Sequence, residues 1–67
     1  MNKFNEVLKE LRIEKGLSQQ QFAQELNVTQ PAVAKWESGE RIPSLDLLID
    51  IRNYFGCTLD YLVGLED

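Results

Sequence analysis

The hydrophobic residues at the start of this chain recur with the period of an amphipathic helix. Apolar side chains occupy positions i, i+3, i+4 and i+7 of that helix, at Phe4, Val7, Leu8 and Leu11. Lys15 and Gly16 follow, and a cation with a glycine is a common helix ending, because both suit the carboxyl end. The spacing therefore predicts a first helix that ends before Gly16.

Two further helix starts lie close together in the stretch SQQQFAQELNVTQPAVAKWESG. Ser18 and Gln21 have the spacing of a capping box, in which each side chain accepts a hydrogen bond from the other residue's backbone N–H. Thr29 caps the next helix, and Pro31 fits its first turn, where no helical partner for an N–H exists. Asn27 tolerates the left-handed conformation of a tight turn. Both helices are short, so packing must stabilise them.

The rest of the sequence predicts two more helices and no strand. Ser44 caps a fourth helix, and Thr58 caps a short fifth one. The fourth helix carries a broad apolar arc, which predicts that it is the most buried helix. Its apolar residues are Leu45, Leu47, Leu48, Ile49, Ile51, Tyr54 and Phe55. We therefore predict an all-α fold in which residues 1–67 form a single domain.

Composition narrows the possible functions. The 67 residues have a mass of 7.7 kDa, which allows one small core. Cys57 is the only cysteine and there is no histidine, which excludes an internal disulfide and a Cys/His zinc site. The sequence has no histidine, no pair of carboxylates in an apolar setting and no phosphate-binding glycine loop. We therefore expect no enzymatic activity, no cofactor and no metal. The lack of a signal-like or membrane-spanning stretch predicts a cytoplasmic protein.

Two short helices joined by a tight turn occur in many helical proteins, and the DNA-binding helix-turn-helix is one example. The stretch LSQQQFAQELNVTQPAVAKWESGERIPSLDLL is more specific, because it resembles the helix-turn-helix core of Cro/CI-type repressors, the XRE family. With LRIEKG before it and FGCTLDYL after it, the resemblance covers nearly the whole chain. It implies a five-helix lambda-repressor-like domain that binds double-stranded DNA through a helix-turn-helix formed by helices 2 and 3.

The resemblance also implies which residues contact DNA. A recognition helix at about residues 29–38 lies in the major groove, where Gln30 can pair with adenine and Lys35 with guanine. Pro31 departs from the polar residue common at its position, so only a thymine methyl is left for it or Ala32 to touch. Many members of the family have a basic residue at the position of Glu40, so the acid here should weaken binding to the DNA backbone. The implied DNA-binding residues are Gln19, Thr29, Gln30, Pro31, Ala32, Lys35, Ser38 and Arg41. Gln19, Ser38 and Arg41 are the implied phosphate contacts.

Charge is the main argument against DNA binding, because 7 basic and 11 acidic residues give a net charge of −4. Much of the acid lies in residues 42–67, away from the implied contact face. The resemblance also implies an ion pair between Arg12 and Glu37, which would neutralise the acid on the recognition helix. Two independent surface charges at these positions are the alternative.

These features together predict a sequence-specific transcriptional regulator, bacterial or phage in origin and acting as a repressor. One recognition helix reads few base pairs, so we expect a homodimer on a palindromic operator, with self-contact near the C-terminal DYLVGLED. The alternative is a protein-interaction module on the same fold, such as an antitoxin-like or adaptor protein. The acidic surface and Pro31 would favour that alternative.

Overall fold

The computed structural model describes residues 3–65, and these residues form five α-helices and no strand. The helices are α1 (Phe4–Glu14), α2 (Gln19–Leu26), α3 (Gln30–Ser38), α4 (Leu45–Phe55) and α5 (Leu59–Leu62). The predicted all-α class and the five helices are confirmed. Residues 1–2 and 66–67 of the predicted 1–67 domain lie outside the described part of the chain.

Local side-chain chemistry determines where α2 and α3 begin. Ser18 Oγ accepts from the backbone N–H of Gln21 at 3.0 Å, and Gln21 Oε1 accepts from the backbone N–H of Ser18 at 2.8 Å, which completes the predicted capping box. Thr29 Oγ1 accepts from the backbone N–H of Ala32 at 3.4 Å. Asn27 has φ 59°, the left-handed conformation that asparagine tolerates better than most residues. The turn between the two helices is therefore as tight as predicted.

Each helix contributes one fully buried side chain to a single core. These five side chains are Leu8, Phe22, Val33, Ile51 and Leu62. Burial of one such side chain stabilises a fold by roughly 1.5 to 3 kcal/mol, so helices too short to be stable alone gain stability here. Trp36 of α3 is 5% exposed and belongs to the same cluster. The core thereby fixes which side of α3 faces inward.

The prediction that α4 is the most buried helix is wrong. Ile51 is the one buried residue of α4, whereas α1 buries Phe4, Leu8 and Arg12. Leu45, in the first turn of α4, is 66% exposed. The width of an apolar arc depends only on which side chains a helix carries, while burial depends on how many neighbouring elements cover them. The start of α4 is left largely uncovered, so its apolar pattern overstates its burial.

Candidate nucleic-acid interface

α3 has one side in the core and one side open to solvent. It packs against α1 and α2 through its inward side, where Val33 and Trp36 are buried. Gln30, Pro31 and Lys35 are all exposed. The core therefore holds a short helix rigidly while leaving an outer face with a neutral amide, an apolar ring and a cation.

The first turn of α3 combines helix capping with exposure. The Thr29 hydroxyl oxygen caps the helix by accepting a hydrogen bond from the backbone N–H of Ala32. Pro31 is exposed, whereas Ala32 is half-buried and packs against the core. Of the two residues implied to touch a thymine methyl, Pro31 is thus the more accessible, and the exposed surface of Ala32 is limited.

Gln30 is hydrogen-bonded to α2. Its Nε2 donates to Gln19 Oε1 at 2.8 Å, and Gln19 Nε2 donates to Glu37 Oε1 at 3.1 Å. Gln19 is half-buried between the other two side chains. Two residues implied as separate DNA contacts, one for a base and one for phosphate, therefore lie together and form a continuous network with an acid of α3.

That network ends in the ion pair predicted between Arg12 and Glu37. Arg12 Nε lies 2.6 Å from Glu37 Oε2, and Arg12 NH1 and NH2 donate to Leu17 O at 2.7 Å and to Glu37 Oε1 at 3.0 Å. The Arg12 and Glu37 side chains are only 11% and 4% exposed. A buried ion pair is tolerated when its geometry is bidentate and the remaining donors are satisfied, and this one meets both conditions. It ties α1 to α3, and it neutralises the acidic side chain of Glu37 on α3.

A shallow groove of about 350 Å³ lies along α3, from its N-cap Thr29 to Trp36. Pro31, Lys35 and Arg41 line it on the side of α3, and Ile42 and Pro43 line it before α4. Both cations are exposed, so the groove presents positive charge beside an apolar wall. Ile42 is 63% exposed and was not among the residues that the family resemblance implies contact DNA.

Ser38 has a local role in this region. Its hydroxyl donates to Lys35 O at 3.0 Å, and its oxygen accepts from the backbone N–H of Glu40 at 3.3 Å. These bonds shape the turn that follows α3. Ser38 therefore positions the loop that carries Arg41, in addition to any contact of its own with phosphate.

Two other kinds of site were sought in the described part of the chain. Between residues 3 and 65, no helix is long and apolar enough to cross a membrane. The same residues contain no group of three or more His, Cys, Asp or Glu side chains placed to hold a metal ion.

Comparison with known proteins gives consistent matches. A family model described as helix-turn-helix matches residues 8–62. The chain is 42% identical over 64 residues to the HTH-type transcriptional activator BcrR of Enterococcus faecalis, an alignment that covers 96% of this chain and 31% of BcrR. It is 43% identical over 63 residues to YqaE of Bacillus subtilis, an uncharacterized HTH-type transcriptional regulator, with 94% of this chain and 54% of YqaE covered. The chain thus spans about half or less of these two relatives.

The fold has a close match among solved structures. The crystal structure of a transcriptional regulator from Listeria innocua aligns with a TM-score of 0.92 and 39% sequence identity. The alignment covers all of this chain, 100%, and 63% of that protein.

Proposed function

This chain belongs to the helix-turn-helix family, whose members bind DNA and are not enzymes. We propose that it is the sequence-specific DNA-binding domain of a bacterial or phage transcriptional regulator. α3 is the recognition helix and lies in the major groove, and α2 crosses the DNA backbone. The observation that carries this proposal is the outer face of α3, where Gln30 and Lys35 stay exposed while the opposite side is fixed in the core. A regulator with this role acts in the cytoplasm.

Base recognition is assigned to the outer face of α3. The Gln30 amide can accept from adenine N6 and donate to N7, and the Lys35 ammonium can donate to guanine O6 or N7. Pro31 has no N–H and an apolar ring, so it contributes contact with a thymine methyl at most. Thr29 and Ala32 flank Gln30 and Pro31 along the chain, and their main role is to set the position of the first turn.

Phosphate binding is assigned to groups on both sides of α3. Gln19 Nε2 uses one N–H for Glu37 and retains a second one for a phosphate oxygen. Arg41 supplies a cation in the loop after α3, and Ser38 shapes that loop. The acidic Glu40 lies beside them, so we expect modest non-specific affinity.

Specific affinity requires a second copy, because one recognition helix reads only a few base pairs. We expect a homodimer on a palindromic operator whose half-sites lie about 34 Å apart, one turn of B-DNA. Self-contact near the C-terminal DYLVGLED has one supporting observation, since Leu65 is 73% exposed while Leu62 is fully buried. Residues 66–67 of that segment lie outside the described part of the chain. Footprinting that finds a single half-site bound as tightly as a pair would remove the case for a dimer.

A protein-interaction module on the same fold is the second candidate. The observation that favours it is the presence of two exposed apolar side chains three positions apart: Ile42, which lines the groove and is 63% exposed, and Leu45, which is 66% exposed. Such residues more often mark contacts with protein than with nucleic acid. An interaction module of this kind would bind no DNA sequence preferentially.

Selection from random duplex DNA separates the two functions. The purified chain is incubated with a randomised library, and bound duplexes are recovered and sequenced over successive rounds. We expect enrichment of one motif with two inverted half-sites. Recovery of unchanged random sequence at every round would overturn the DNA-reading function and favour the interaction module. A reporter gene placed behind the selected motif then tests repression, which we expect as reduced transcription.

A further inference from the structure

The outward side of α4 carries an apolar row beside an acidic row. Leu45 and Ile49 lie one turn apart and are exposed, and so are Asp46 and Asp50. We call these four residues the α4 outer face. Within the described part of the chain neither aspartate forms an ion pair, and Arg52, the only basic residue of α4, donates to the adjacent asparagine instead. The α4 outer face therefore offers apolar surface next to unpaired negative charge.

A groove of about 470 Å³ lies between the end of α2 and α4 and includes one acid of this face. Glu25 and Asp50 are exposed there, whereas Leu26 and Tyr54 are half-buried and contribute apolar surface. The residues that line the groove are Glu25, Leu26, Asn27, Asp50, Asn53 and Tyr54. The groove thus extends the pattern of the α4 outer face, with acidic groups beside apolar surface.

Tyr54 is held in place within this groove by contacts on several sides. The Lys15 ammonium lies 4.4 Å from the centroid of its ring, and its side chain is hydrogen-bonded to Glu25. Its ring also packs against Phe22 and Phe55, with centroid distances of 5.9 and 5.1 Å. These contacts join α2 to α4, so the groove has a preformed shape, and binding to a preformed surface loses little conformational entropy.

We propose that the α4 outer face and this groove dock a basic amphipathic helix of a partner protein. Such a helix presents apolar side chains at positions i, i+3, i+4 and i+7, which cover Leu45 and Ile49. Lysines or arginines along its edge lie against Asp46, Asp50 and Glu25, so the two surfaces are complementary in charge. A second copy of this chain is a poor occupant, because a two-fold contact through this face would bring the same acids together.

The docking surface is separate from the DNA-binding surface of the proposed function. None of the eight residues implied to contact DNA belongs to the α4 outer face or lines the groove beside it. The outer face of α3 therefore stays open to DNA while α4 holds its partner. The inference goes beyond the proposed function and does not depend on it.

Two synthetic peptides test the docking. The probe is a helical peptide about 18 residues long, with leucines along one face and lysines elsewhere, and the second peptide has glutamate in place of every lysine. Lysine peptides also bind DNA, so affinities are measured without DNA, from the fluorescence anisotropy of labelled peptide. We expect micromolar binding of the lysine peptide and binding at least about tenfold weaker of the glutamate peptide. Backbone amide chemical shifts should change in α4 and at the end of α2, but not on the outer face of α3.

A matched pair of isoleucine variants separates docking from general attraction to an acidic protein. Ile49→Lys and Ile13→Lys make the same substitution at exposed positions of α4 and α1. We expect Ile49→Lys to weaken binding of the lysine peptide about tenfold or more, because it removes apolar contact and adds a like charge. Ile13→Lys should weaken it less than about twofold, since it lies outside the docking surface.

A matched pair of double variants tests the acids. Asp46→Asn with Asp50→Asn removes both acids of the α4 outer face, and Glu10→Gln with Glu14→Gln removes two exposed acids of α1. We expect the first double variant to weaken binding of the lysine peptide about fivefold and the second to weaken it less than about twofold. Circular dichroism establishes whether each variant is folded, and if Ile49→Lys is not, the double variants decide the question.

Four results would overturn the inference. They are no binding of the lysine peptide to the parent, equal affinity for the two peptides, equal effects of Ile49→Lys and Ile13→Lys, and equal effects of the two double variants. Sedimentation equilibrium of the chain alone tests a second copy as the occupant. Self-association that is lost in Ile49→Lys and kept in Ile13→Lys would assign the α4 outer face to a dimer contact and overturn the inference as well. None of these results bears on whether the parent enriches a DNA motif, so the proposed function stands or fails separately.

Discussion

Substitution of Glu37 by glutamine removes one charge from the Arg12–Glu37 pair at almost constant shape. The Glu37 side chain is 4% exposed and the Arg12 side chain 11%, so a guanidinium left without its carboxylate has little access to water. Breaking a buried pair in this way costs about 3 kcal/mol, whereas a solvent-exposed pair contributes well under about 1 kcal/mol. A domain of this size has a total stability of roughly 3 to 10 kcal/mol, so the loss is a third of it or more.

Urea denaturation measures this loss directly. Trp36 is the only tryptophan and is 5% exposed, so its fluorescence reports unfolding of the core. Glu40→Gln makes the same substitution at an exposed position and is the control for Glu37→Gln. We expect it to change the free energy of unfolding by less than about 0.5 kcal/mol. The double variant Arg12→Met with Glu37→Leu removes both charges and should be more stable than Glu37→Gln alone. Equal midpoints for Glu37→Gln, Glu40→Gln and the parent would refute the reasoning.

Three further predictions concern other side chains. Gln30→Ala should cost about 1 to 3 kcal/mol on the selected operator and relax preference at one base pair only, which binding to single-substituted operators checks. Arg41→Ala should weaken binding to all sequences alike and lower the salt slope by roughly one unit, which titrations at several salt concentrations would reveal. Lys35→Ala will resemble Gln30→Ala if Lys35 reads a base and Arg41→Ala if it binds phosphate. Desolvation, and then the charge of Glu25 and a hydrogen bond to it, raise the pKa of Tyr54 above 10.0. Folding therefore favours the protonated form of Tyr54, and this contribution to stability is lost as the pH rises and the tyrosine ionises. Melts should show the parent losing stability relative to Tyr54→Phe only above a pH of about 10.

The helix boundaries could be predicted because their causes are local. The capping box of Ser18 and the left-handed Asn27 depend on residues within a few positions of each other, and both are visible in the sequence. The inward face of α3 was equally predictable, since Val33 and Trp36 lie one turn apart. Chain segments that determine their own conformation are well suited to prediction from sequence.

Features that depend on distant segments were harder to predict. The uncovered Leu45 on α4 results from which helices fail to pack against it, and periodicity carries no such information. The contacts from Gln19 to Gln30 and Glu37 join residues 11 and 18 positions apart, and only the angle between α2 and α3 brings them together. The ion pair between Arg12 and Glu37, 25 positions apart, was predicted from family resemblance and not from spacing. Which residues contact DNA stays a prediction.

Methylation interference on the selected operator tests most directly whether α3 reads the major groove. Dimethyl sulfate methylates guanine N7 in the major groove and adenine N3 in the minor groove, so one reagent probes both. We predict that N7 methylation of guanines within each half-site blocks binding, and that N3 methylation of adenines in the same half-sites has little effect. Interference confined to adenine N3, or absent from both half-sites, would contradict placement of Gln30 and Lys35 in the major groove.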